Sequence, residues 1–115
     1  MRRTSRGSRG TSDALVLARR LGSREARRLF VRFCHEVTRF SDGFQMEAAP
    51  FDLSLRDSLS GFSVTVSPLR ELFLVSIGEG RSFDVRVSSA ESYVAALDLV
   101  LAAYLASAAK AAPAA

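Results

Sequence analysis

The chain has little with which to do covalent or metal chemistry. Among 115 residues there is one cysteine, Cys34, one histidine, His35, one lysine, Lys110, and no tryptophan. A single cysteine excludes an internal disulfide framework and fits a reducing compartment, so a cytoplasmic location is expected. With one Cys and one His, an ordinary structural zinc site cannot be assembled from this chain. Cys34 and His35 are also poorly placed as nucleophile and base, because adjacent residues on a helix point about 100° apart. Ser107 and Lys110 fit S-x-x-K in form, without a companion motif. Gly78-x-Gly80 lacks the rest of a dinucleotide fingerprint and joins two expected strands. The carboxylates are scattered over strand and turn positions, where solvation accounts for them. No catalytic residue, metal, cofactor or small-molecule substrate is expected, and the chain reads as a non-enzyme.

Long apolar runs are scarce as well. The longest, Tyr93 to Ala109, is Ala-rich, carries Asp98 and is about a turn short of a membrane span, so it reads as a buried helix. Ala14 to Ala18 offers only five apolar residues before Arg19 and Arg20, too few for a secretory signal. The first twelve residues hold four Arg and no acid, a composition that organellar presequences share, and that alternative stays open.

What is present suits one modest core. At 48% hydrophobic and 24% charged, the chain reads as a single domain over residues 12–110, with an Arg-rich disordered tail at 1–11 and a flexible tail at 111–115. Charge is divided along the length. Residues 1–40 hold eleven Arg against Asp13, Glu25 and Glu36, a net of +8, whereas the remainder nets −4. Fifteen Arg against one Lys also fits a G+C-rich coding sequence, so the placement of the arginines carries more meaning than their number.

Thr11 or Ser12 can cap a short helix over Asp13 to Leu21, ended by Gly22. Ser23 can cap the next, over Arg24 to Phe40. On that second helix Ala26, Leu29, Phe30, Phe33, Val37 and Phe40 share an arc of roughly 100°, while Arg24, Arg28, Arg32, His35 and Arg39 share the opposite arc of roughly 80°. It is a cationic amphipathic helix. Extending its phase backward would place Leu17 and Leu21 among the arginines, which favours a break at Gly22.

After the turn at Asp42-Gly43 the apolar period falls from 3.6 to 2. Phe44 to Arg56 alternates with an interruption at Pro50, giving one broken edge strand or two short ones. Phe62 to Val66 alternates again, Glu71 to Ile77 is continuous enough for a strand buried on both faces, and Phe83 to Val87 follows a turn at Gly78 to Gly80. Ser88 and Glu91 match a capping box for a helix over Ser89 to Ala109. The fold expected is therefore α+β, a two-layer sandwich in which an antiparallel meander of three to five strands carries the N-terminal and C-terminal helices on one face, in the order α-α-β-β-β-β-α.

The order of elements is similar to the outline shared by double-stranded RNA-binding domains, the Alu-binding signal-recognition-particle subunits and parts of secretion chaperones. The lysine-rich start of the last helix that marks double-stranded RNA-binding domains is absent here, where the helix opens SSAESYVAAL, and no family is assigned. Two functions lead, ahead of a membrane-surface helix that would need the face of Phe30, Phe33, Val37 and Phe40 free of the core. One is an interaction or adaptor protein that self-associates or binds a protein partner, using the face of Tyr93, Leu97, Leu101 and Tyr104, since the last helix has little polar surface to show to water. The other is backbone-directed, low-specificity RNA or DNA binding by the stripe Arg24, Arg28, Arg32, His35 and Arg39. The expected outer sheet face, with Ser54, Arg56, Ser63 and Thr65, has no aromatic on which a base could stack.

Overall fold

The change of period at Phe44 marks the passage from helix to sheet. In the computed structural model of the protein, residues 13–78 and 84–111 are described. The arginine tail over 1–11, the cap at Thr11 or Ser12, the turn beyond Gly78, Phe83 and the tail from 112 lie outside them.

Helix α1 is described over residues 13–18 and gives way to a tightening turn, in which the N–H groups of Arg19, Arg20 and Leu21 bond the carbonyls three residues back. This break turns Leu17 and Leu21 into the core. It is pinned at its C-terminal end: the Gly22 N–H donates to the Arg70 carbonyl at 2.7 Å, and Arg27 Nε to the Leu21 carbonyl at 2.9 Å.

Helix α2 runs over Arg24–Thr38, with the Ser23 hydroxyl accepting from the Ala26 N–H at 3.0 Å. Its buried residues Ala26, Leu29, Phe30, Phe33, Cys34 and Val37 face the sheet. Burial pushes the Cys34 thiol well above its ordinary pKa, so this group packs as a neutral apolar one.

Five strands follow in a meander: β1 (Phe44–Ala48), β2 (Leu53–Asp57), β3 (Ser63–Pro68), β4 (Phe73–Ile77) and β5 (Asp84–Val87), each antiparallel to the next. Phe44 to Arg56 forms the two short strands. Pro50 has no N–H for a ladder, and the Ala49 N–H to Asp52 carbonyl bond closes the turn around it. One sheet face carries Leu53, Leu55, Val64, Val66, Phe73, Val75 and Val87, all fully buried. The other is a polar surface, on which Glu47, Ser54, Thr65 and Ser76 lie in cross-strand register.

The expectation that β4 is buried on both faces does not hold: Leu74 and Ser76 are only half-buried, because no layer covers the open side.

Helix α3, Ala90–Ala111, packs beside α2 and over β5. Its capping pair sits one residue later than expected. The Ser92 N–H donates to the Ser89 hydroxyl, and the Ser89 N–H to the Ser92 hydroxyl at 2.9 Å, while the Ser89 carbonyl accepts the first helical bond from Tyr93. Glu91 takes no part.

Aromatic rings join the layers. Phe30 and Phe33 pack on Phe73, and Tyr104 lies 5.7 Å from each of Phe40, Phe44 and Phe62 between ring centroids. Burying each such side chain contributes roughly 1.5–3 kcal/mol. All three helices thus cover one face of the sheet.

Candidate functional site

Helix α2 divides its circumference as its sequence predicts, with the core residues inward and the arginines outward. Arg24, Arg28, Arg32 and Arg39 are exposed and His35 half-buried. Along this side lies a shallow depression of about 840 Å³, lined by Leu15 and Ala18 of α1, by the half-buried Val31 of α2, by Arg19, Arg27, Arg28, Arg32 and Arg39, and by Glu25 and Glu36. Arg32 is held, 3.4 Å from Glu36 and over the Tyr93 ring at 5.4 Å. Arg24, Arg28 and Arg39 make no hydrogen bond or ion pair with another described residue. Arginines outnumber Glu25 and Glu36 on this surface, and a facing anion would meet guanidinium donors not engaged by the described residues.

Helix α3 is organised differently. Tyr93, Ala96 and Val100 are buried against the core, and Leu97, Ala103 and Tyr104 pack partly against it. The Tyr93 hydroxyl donates to Glu36, tying α3 to α2. Burial, followed by this contact with a carboxylate, raises the Tyr93 pKa, so the phenol stays a neutral donor.

Of the four residues expected to form an interface, Tyr93, Leu97 and Tyr104 therefore face inward, and Leu101 alone reaches the outer surface. Its companions there are Val94, Leu99 and Leu105. Nor is α3 an enclosed helix. By length and composition it could even cross a membrane, and most of it is unburied. The expectation failed because a helix apolar all round has no phase from which to read its inner side.

A second cationic cleft, about 680 Å³, opens where the α1–α2 turn meets the ends of β1–β2 and β3–β4, and it shares Arg19 and Arg27 with the first. Arg20 lies 4.8 Å over the exposed Phe51 ring and donates to the Pro50 carbonyl at 3.0 Å. Thirty residues separate the pair, and no local pattern announces it.

Asp57 was also missed. It is fully buried, not solvated, and is the only charged residue so placed among those described. Its carboxylate accepts from the hydroxyls of Ser41 and Ser60 and from the N–H groups of Leu59 and Ser60. Burial pushes its pKa up, and these bonds, from Ser60 and Ser41 first, outweigh that and hold it below the usual value. Any side chain at Gly43 would collide, since a Cβ there would lie 2.5 Å from Asp57 Oδ1. The run Asp57-Ser-Leu-Ser60 did carry a signal, an aspartate able to bond its own backbone two and three residues on. Asp57 organises a turn and lines neither cleft.

Among the described residues no cluster of His, Cys, Asp or Glu could hold a metal ion. No family model, curated protein or solved structure matches the chain.

Proposed function

We propose that the protein is a non-enzymatic interaction module that associates with a second copy of itself through the outer face of α3. One observation carries this reading. Val94, Leu99, Leu101 and Leu105 are 56, 40, 36 and 56% exposed along a single helix whose inner side is already packed. Scattered surface leucines are ordinary; on α3 Val94, Leu101 and Leu105 fall within one arc of roughly 40°, an apolar strip that association would remove from water, while Leu99 lies on the far flank beyond Glu91 and Asp98. Cys34, buried and unpaired, is compatible with work in a reducing compartment. Light scattering after size exclusion tests the proposal. The wild-type chain should run as a dimer at tens of micromolar, and Leu101→Glu with Leu105→Glu as a folded monomer. A strict monomer at several hundred micromolar would overturn it.

The second reading, nucleic-acid binding, draws support from the two clefts that share Arg19 and Arg27, and from the exposed Phe51 beside Arg20. It predicts affinity for a short RNA or DNA that falls steeply with salt. Absence of binding by fluorescence anisotropy at low salt would remove it. It ranks second because the sheet face offers no ring to a base and Phe51 stands alone.

A further inference from the structure

Granting self-association through α3, what surface receives that helix? We infer that it is the cationic face of α2 on the second copy, exchanged about a two-fold axis so that each α3 lies on the partner's α2.

The outer face of α3 is apolar with an acidic line through it. Val94, Leu101 and Leu105 lie on one side of Glu91 and Asp98, both of which are exposed. Glu91 and Asp98 are seven residues apart, so they sit about 10 Å apart along the helix and nearly in line. Neither makes a hydrogen bond or ion pair with another described residue, and Glu91 is left out of the helix cap that Ser89 and Ser92 form. The outer face of α2 has the opposite character. Arg28 and Arg39 are exposed without an ion pair to another described residue, Glu25 and Glu36 are the carboxylates among the same lining, and Leu15 and the half-buried Val31 lie among them, where Leu101 and Leu105 would find apolar ground.

Charge decides between the two ways of covering α3. Laid on its own copy, α3 would bring four carboxylates onto one ridge, and its only cation, Lys110, is in the last turn. Laid on α2, each acid meets a face on which five arginines stand against Glu25 and Glu36. The two faces cannot meet within one chain. The Tyr93–Glu36 bond holds α2 and α3 side by side, so both outer faces point away from the sheet.

The same adjacency makes a two-fold pairing self-consistent: where α3 of one copy meets α2 of the other, the reverse contact forms as well. Two helix contacts in place of one move the buried area toward the roughly 1,200–2,000 Å² of a specific interface.

Charge reversal in full-length chains gives the test, read by sedimentation equilibrium with circular dichroism as the check on folding. One variant carries Glu91→Arg and Asp98→Arg; the other carries Arg28→Glu and Arg39→Glu. Each alone should dimerise at least tenfold more weakly than wild type, since all its contacts become like-charged. An equimolar mixture should recover association as a heterodimer, because one contact is then native and the other fully reversed. Wild-type association should also weaken between 50 and 500 mM salt.

Three results overturn the inference. If dimers persist unchanged in both variants while Leu101→Glu with Leu105→Glu abolishes them, α3 self-associates on some other surface. If the mixture fails to recover, the faces do not meet each other. If the Arg28→Glu, Arg39→Glu chain loses only RNA affinity, α2 serves nucleic acid. A wild-type chain that is monomeric throughout removes this inference together with the proposal on which it rests.

Discussion

Helices α2 and α3 lie side by side on the same sheet and present the same chemistry inward, aromatic and aliphatic side chains against Phe73 and its neighbours. Outward they differ. On α2 every strongly apolar position is used by the core and the remainder is polar and mostly arginine; on α3 apolar residues continue around the helix and the core takes only some of them. The core alone therefore accounts for the apolar residues of α2. It does not account for α3, whose surplus of Val and Leu needs another explanation, and the arginines of α2 need one equally.

The contrast can be broken first from inside. Phe33→Ala should cost about 3–5 kcal/mol in urea unfolding, since Phe33 is fully buried and packs on both Phe73 and Tyr93. Val100→Ala, on the inner side of α3, should cost less, roughly 1–3 kcal/mol, for the smaller volume removed. A negligible effect at Val100 would mean that α3 is not docked as described.

Beneath the helices, Asp57→Asn should cost roughly 1–3 kcal/mol at neutral pH by weakening a buried acceptor set. Because the folded-state pKa of Asp57 is lowered, its contribution is present above the unfolded value of about 3.9 and is lost as pH falls through the folded value. Urea midpoints measured from pH 7 to pH 2 should thus fall less steeply in the Asn variant than in wild type.

Tyr93→Phe, which keeps the ring and removes the donor to Glu36, should cost about 1 kcal/mol. The smallest effect belongs outside. Leu105→Ala should change the stability of the monomer by no more than about 0.5 kcal/mol while weakening any dimer, which separates the two halves of α3 by measurement.

Where periodicity had a phase, the sequence was legible. The cap at Ser23, the break at Gly22, the buried set of α2 and the alternating strands all follow from residues within a turn or two of each other. The candidate stripe on α2 was legible for the same reason. Three things were not. The inner side of α3 depends on where Tyr93 and Tyr104 find partners on α2 and the sheet. The burial of Asp57 depends on Ser41 arriving from sixteen residues away. Arg20 meets Phe51 only because the α1–α2 turn reaches the end of the sheet. Each is settled by tertiary contact, which no local pattern encodes.

The sequential strand order has a kinetic consequence. Every strand pairs with its neighbour in the chain, so the sheet can assemble from short loops at small entropic cost. The Tyr93–Glu36 bond, by contrast, closes 57 residues and gains its partner only after the strands between them are in place. We expect the meander to form in the folding transition state and the helix junction after it. In stopped-flow experiments Tyr93→Phe should then speed unfolding and leave the folding rate nearly unchanged, whereas Val64→Ala or Val75→Ala should slow folding. Equal effects of Tyr93→Phe on both rates would place the closure of the chain ends earlier than the sheet allows.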